Sequence, residues 1–144
     1  MINKDQVARL LEKEEGNVLH VYTDHLGYLT LGVGRLVDVR KGGGISKEES
    51  RYLLNNDMDK FHIECGHRFP WFCDLDQARQ QVIVCMAFQL GTDGVAKFSN
   101  MISCIKRKDF MKAAQEMIDS KWNEDTPQRC ARMASIMIRG EWHE

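Results

Sequence analysis

Between residues 17 and 35 the segment NVLHVYTDHLGYLTLGVGR abandons helical spacing, and its apolar residues fall on alternate positions. Side chains alternate across a strand, so this pattern confines the stretch to β structure. A three-residue turn, His25-Leu26-Gly27, with Gly27 at positive φ, pairs Asp24 with Tyr28 and Tyr22 with Thr30. Leu19, Val21, Leu29, Leu31 and Val33 then share one face of the predicted hairpin. The other face carries His20, Tyr22, Asp24, Tyr28 and Thr30, with Asp24 and Thr30 as diagonal neighbours. Gly32 and Gly34 leave that face bare, which suits close approach of another group. Residues 36 to 39 are expected to add a short third strand.

The hairpin follows a helix predicted over residues 4–15. Asn3 caps it with Gln6 at the capping-box position, and Gly16 stops it. Val7, Leu10, Leu11 and Glu14 form a stripe at helical spacing, expected to be buried. Glu12, Glu14 and Glu15 crowd the last turn, where the helix dipole favours cations. Local rules are broken most often at functional sites. A solvated acidic helix end explains the same residues.

After the hairpin the pattern turns helical. KGGG at 41–44 is a loop, and Ser46 with Glu49 forms a capping box. A long helix follows to about Cys65, with Leu54, Met58, Phe61 and Cys65 on one side. Asp74 or Asp76 starts another, whose VIVCMAFQL section is apolar on most sides and is expected at the centre of the core. Shorter helices are predicted near 93–97, 99–106 and 109–119, and a last one from Thr126-Pro127 to Gly140. The class is α+β, a small sheet near the N-terminus followed by helices.

A length of 144 residues allows one domain with a sizeable core. At 43% hydrophobic and 28% charged, the chain is globular rather than disordered. The net charge of -1 gives no overall signature of nucleic-acid binding, although basic residues recur from Lys97 onward. Five cysteines without metal-site spacing read as free thiols, with a Cys65–Cys73 bridge as the alternative. No signal-peptide core or membrane-length apolar run is present, so stable membrane insertion is not expected. His20 and His25 read as surface residues, Trp122 and Trp142 as core, and no metal or cofactor site is expected.

Two carboxylates in different environments can split a glycosidic bond, one as acid and one activating water. Glu15, at a helix C-terminus and expected to be partly buried, is the candidate acid. Asp24, at a strand end beside a turn, is expected to stay ionised. Taken alone, the pair is better explained by a turn-stabilising Asp24 and an ordinary strand Thr30.

The full pattern E-G-x5-Y-x-D-x2-G-Y-x-T-x-G-x-G, from Glu15 to Gly34, resembles the signature of the phage-type lysozymes, the muramidases of tailed-phage endolysins. The resemblance continues in AFQLGTDGVAKFSN (87–100), SKWNEDTPQRCAR (120–132) and GEW (140–142). It implies a single lysozyme-like domain over residues 1–144. A small β lobe would span about 15–45 and a connecting helix 46–65, with a helical lobe from 66–144 plus the N-terminal helix. It also implies Glu15 as general acid, with Asp24 and Thr30 holding the attacking water. Leu36, Phe88 and Gln89 would line a saccharide groove, and Arg129 would pair with the acid across it. The reaction implied is inverting hydrolysis of the β-1,4 bond between N-acetylmuramic acid and N-acetylglucosamine. A monomer acting on peptidoglycan is implied, made in the host cytoplasm and reaching the periplasmic wall through a separate phage pore protein.

Two departures stand out. Where the family motif ends in His, this chain has Arg35, predicted to pair with Asp57. The segment between Leu36 and Ile45 is also shorter than in the T-even branch of the family, and Met101 and Glu116 replace two sugar-contact positions. A lytic transglycosylase and a catalytically silent wall-binding domain are the alternative readings.

Overall fold

The computed structural model describes residues 2–143. The chain divides into two compact units, Met1–Tyr52 and Leu53–Glu144.

The first unit opens with helix α1 (Lys4–Glu15), capped by the Asn3 side chain accepting from the Gln6 amide at 3.1 Å. Three antiparallel strands follow: β1 (Val18–Thr23), β2 (Leu29–Gly32) and β3 (Arg35–Leu36), in the order β1-β2-β3. Tyr22 pairs with Thr30, as the alternation predicts, and the Asp24 amide donates to the Tyr28 carbonyl at 2.8 Å. The third strand is shorter than expected and begins one residue earlier.

Two expectations are not met within this unit. No residue of the first unit covers Val7, Leu10 and Leu11 of α1. Strands of six, four and two residues offer too little surface to cover the stripe. The hairpin's apolar face is also incomplete, because the register shifts between Val18 and Tyr22 and leaves Leu19 88% exposed. A bulge turns side chains off the face they would otherwise share.

Helix α2 (Lys47–Arg68) begins at the predicted capping box: the Glu49 amide donates to Ser46 Oγ at 3.1 Å, and the Ser46 amide to Glu49 Oε2 at 2.9 Å. The boundary between the units falls within it. The second unit continues with a 3₁₀ turn (Phe72–Asp74) and α3 (Gln77–Ala96). Gly91, at φ 72°, interrupts the helical backbone of α3. Next come α4 (Ser99–Lys106), α5 (Phe110–Ile118), α6 (Lys121–Asp125) and α7 (Pro127–Arg139). The core of this unit is a cluster around Phe72, Ile83, Met86, Met117, Ile136 and Met137. Unbranched methionines fill irregular gaps between helices that meet at differing angles. Helix α7 packs on α3, α5 and α6, which explains its strong amphipathic pattern.

Arg79 ties the start of α3 to the end of α7. Its Nε donates to the Met137 carbonyl at 2.8 Å and its Nη2 to the Ile138 carbonyl at 3.0 Å. These are carbonyls of a last helical turn, which need such donors. The guanidinium stacks 3.6 Å from the Phe110 ring centroid and pairs with Asp76. All five cysteines are free, so the Cys65–Cys73 alternative drops out. Trp122 is core, as expected, but Trp142 lies beyond α7 and is half exposed.

Candidate active site

Glu15 is the last residue of α1. The helix ends there because Gly16 takes φ 74°, ψ 171° and returns its amide to the Glu12 carbonyl at 3.0 Å. The Glu15 side chain is exposed rather than partly buried. Its carboxylate lies against Gly34: a Cβ built on that glycine would sit 3.3 Å from Glu15 Oε2. The bare positions of the hairpin thus have different uses. Gly34 makes room for Glu15, whereas Gly32 has nothing within 4 Å of its missing Cβ.

Asp24 is fixed by its own turn. Its Oδ1 accepts from the Leu26 amide at 2.9 Å and the Tyr28 amide at 2.8 Å, while its carbonyl accepts from Gly27 at 3.0 Å. Such Asx turns form because a short carboxylate can reach amides two and four residues ahead. The Tyr28 amide is the main cause holding the Asp24 carboxyl below its ordinary range. Burial is the next largest effect and opposes it, and the Leu26 amide, the nearby His25 and the Gly27 amide again act downward. Both side-chain bonds fall on one oxygen, and none of the described residues donates to Oδ2.

Thr30 is the buried polar residue of the sheet, 6% exposed, with Tyr22 and Leu36 as its cross-strand partners. Its Oγ1 donates to the Tyr28 carbonyl over 3.4 Å, near the limit for such a bond. Glu15, Asp24, Thr30 and Leu36 line a single groove of about 550 Å³, together with Tyr22 and His25. The three candidate catalytic residues and one candidate sugar contact are thereby brought together within the first unit. Tyr22 was placed on this face by the alternation. His25, read from the sequence as a surface residue, is exposed but also lines the groove, and nothing in its spacing signalled that role.

The short segment after β3 is held by Asp38. Its carboxylate accepts from the Arg40 side chain, from the Arg40 amide at 2.8 Å and from the Gly44 amide at 3.1 Å. The Arg40 side chain is the main reason that Asp38 stays well below the usual carboxylate range. From this loop the Lys41 ammonium reaches over the Tyr28 ring, 5.4 Å from its centroid.

Arg35 has a partner within the first unit. Its guanidinium pairs with Glu49, whose other oxygen holds the Ser46 amide. The shortened connection brings the chain from β3 back to the first turn of α2, and Glu49 lies in that turn. Asp57 lies two turns further along the helix.

Among the second unit's candidates, Phe88 is 47% exposed on α3 and meets the Phe61 ring edge-on at 5.9 Å. Next to it, Gln89 Oε1 accepts from Trp122 Nε1 and from Arg129 Nη1, both at 2.8 Å. Two donors on one oxygen fix the amide's orientation and leave its NH₂ free to donate. Arg129, read as the partner of the acid, here serves Gln89.

Met101 and Glu116 line a separate groove of about 730 Å³ in this unit, along with Asn100, Ser120 and Trp122. Met101 itself is fully buried, so the polar wall comes from Glu116 and from neighbours such as Asn100 and Ser120. Among the described residues no cluster of His, Cys, Asp or Glu could hold a metal ion, and no helix is long and apolar enough to cross a membrane.

Comparison with known proteins bears on what this arrangement is for. The family model for phage lysozyme matches residues 12–139. The pre-baseplate central spike protein Gp5 of Enterobacteria phage T4 is 30% identical over 93% of this chain. The probable T4-type lysozymes 1 and 2 of Dictyostelium discoideum are 29% and 28% identical over 93% and 94% of it. The chain spans only 28% of the spike protein's length but 94% and 95% of the two Dictyostelium proteins. A match running from within α1 to the end of α7 takes in every candidate residue of both units, and by it the chain belongs to the phage lysozyme family.

Proposed function

We propose that the chain is a muramidase that hydrolyses the β-1,4 bond between N-acetylmuramic acid and N-acetylglucosamine of peptidoglycan, with inversion. The observation that carries this reading is the convergence of Glu15, Asp24 and Thr30 on one groove, with Asp24 held ionised. Glu15 donates its proton to the departing glycosidic oxygen. Asp24 uses its free Oδ2 to orient and activate a water on the opposite face of the sugar, and the Thr30 hydroxyl helps to hold that water. Because backbone amides occupy Oδ1, the carboxylate cannot rotate away from this task. Leu36, Phe88 and Gln89 contact the saccharide, and Gln89 does so through the NH₂ that Trp122 and Arg129 leave free.

The protein acts as a monomer on the periplasmic cell wall after synthesis in the host cytoplasm. A separate phage pore protein carries it across the membrane. Cleavage of the wall then leads to lysis.

A lytic transglycosylase would need the acid but no water-activating carboxylate, so Asp24 favours hydrolysis. Digestion of purified peptidoglycan, with products weighed by mass spectrometry, separates the readings. Hydrolysis gives reducing-end sugars one water heavier than the 1,6-anhydro products of a transglycosylase. A silent wall-binding domain gives no products at all. Anomeric analysis of the first-formed product by NMR tests inversion.

A further inference from the structure

The second unit has a further concavity, of about 530 Å³, between the α2–α3 connection and the α4–α5 turn. Phe69 and Trp71 lie at its floor, 5% and 8% exposed, and Phe110 closes one side. Its charged residues are Arg68, Lys106, Lys108 and a single acid, Asp74. The chain as a whole carries a net charge of -1, so this local excess of cations does not simply follow from a basic protein.

The cations differ in how far they are already engaged. Arg68 is held by Asp93 at 2.5 Å. Arg107, in the middle of the Lys106-Arg107-Lys108 run, turns back onto α4 and donates to Ser103 Oγ at 2.7 Å. Lys106 and Lys108, on either side of it, line the groove, and no acid among the described residues lies within ion-pair distance of either.

Lys108 is also in an unfavourable place. It has φ 59°, the only positive value at a non-glycine among the described residues. Its amide donates to the Ile105 carbonyl, and the Asp109 amide donates to the Cys104 carbonyl, both at 2.9 Å. That pair of bonds ends a helix at a position where glycine is strongly favoured. Helix α7 makes the usual choice, with Gly140 at φ 70°. A lysine here sacrifices backbone comfort to put an ammonium at the groove's rim, and such outliers cluster at ligand sites.

We propose that this groove is a second, non-catalytic site, which binds a phosphorylated saccharide. Unpaired lysines serve as point charges for phosphate. The concavity has the volume of a small-molecule site, and its aromatic floor suits the apolar face of a sugar ring. A bilayer surface, in contrast, calls for an open face. The site is independent of the hydrolytic reading, because none of its residues lies in the Glu15 groove.

The test titrates the full chain with N-acetylglucosamine 6-phosphate and follows the indole N–H resonance of Trp71 by NMR. Parallel titrations use N-acetylglucosamine, inorganic phosphate and phosphatidylglycerol vesicles. The site predicts a saturable Trp71 shift with the phosphosugar, at least fivefold weaker binding of inorganic phosphate, and no shift with the neutral sugar. Lys108→Gly should weaken phosphosugar binding at least fivefold while leaving the unfolding midpoint unchanged or higher. Lys106→Gln should weaken binding without affecting folding. No Trp71 response to the phosphosugar, an equal response to the neutral sugar, a response to vesicles alone, or full binding by both variants overturns the proposal. Loss of peptidoglycan cleavage would bear only on the Glu15 groove and would leave these outcomes intact.

Discussion

Gly34→Ala is the most informative single change in the first unit, because Gly32 supplies a matched control. Both glycines have φ +62°. An L-residue in that left-handed region costs roughly 1–2 kcal/mol, so each alanine should lower stability by about that amount. Only Gly34 has a neighbour: its new Cβ would lie 3.3 Å from Glu15 Oε2 and 3.7 Å from Glu15 Cβ, whereas a Cβ on Gly32 meets nothing within 4 Å. The exposed Glu15 side chain yields by a few tenths of an ångström. Misplacing a reacting group by about 1 Å can cost about 10²-fold in rate, so a shift of a few tenths should cost roughly three- to tenfold. Denaturant unfolding and the initial rate of peptidoglycan solubilisation, measured on both variants, separate strain from displacement. Equal stability losses with a slower Gly34→Ala enzyme are expected. If the two variants cleave at the same rate, contact with Gly34 does not set the working position of Glu15.

Other expectations follow from particular bonds. The folded Asp24 carboxyl lies below its ordinary range, so its stabilisation is complete above the unfolded value and fades as pH falls through the folded one. Wild type should therefore lose stability more steeply than Asp24→Asn below about pH 4, as measured by denaturant midpoints from pH 6 to 2.5. Arg79→Ala removes two bonds to the carbonyls ending α7 and should cost about 2–3 kcal/mol, with Arg79→Lys recovering less than half because it lacks the planar fork. A double-mutant cycle between Arg35 and Glu49 should give a coupling of about 0.5 kcal/mol, typical of an exposed pair. The same cycle between Arg35 and Asp57 should give none.

Where the sequence was informative, the information was local. The Tyr22–Thr30 register followed from alternation plus a glycine at the turn, both contained within a few residues. The Asn3 and Ser46 caps were equally visible, since a cap is a bond between residues three apart. Failures arose where an outcome depended on the length of a connection or on what lies opposite. The Val7–Leu11 stripe has the spacing of a buried helix face, but within the first unit the sheet is too small to cover it. The Arg35–Glu49 pair depends on how the connection after β3 returns to α2, which no local pattern shows. The five-residue α6 is too short to show a period and was not predicted.

The site shows the same division. Glu15, Asp24 and Thr30 stood out because motif and spacing coincide in the hairpin. Arg129 serving Gln89 joins residues forty positions apart, and only the packing of α3, α6 and α7 brings them together. His25 reads correctly as a surface residue, but a histidine at a turn tip has no pattern that signals its place in the groove.

The central claim is that Glu15 is the proton donor, and turnover of peptidoglycan by Glu15→Gln tests it most directly. Glutamine keeps the shape of the side chain at an exposed helix end, so the unfolding midpoint should stay within experimental error of wild type. The rate should fall by at least about 10²-fold, the low end of what general acid catalysis supplies. A folded Glu15→Gln protein that cleaves within threefold of the wild-type rate would contradict the assignment.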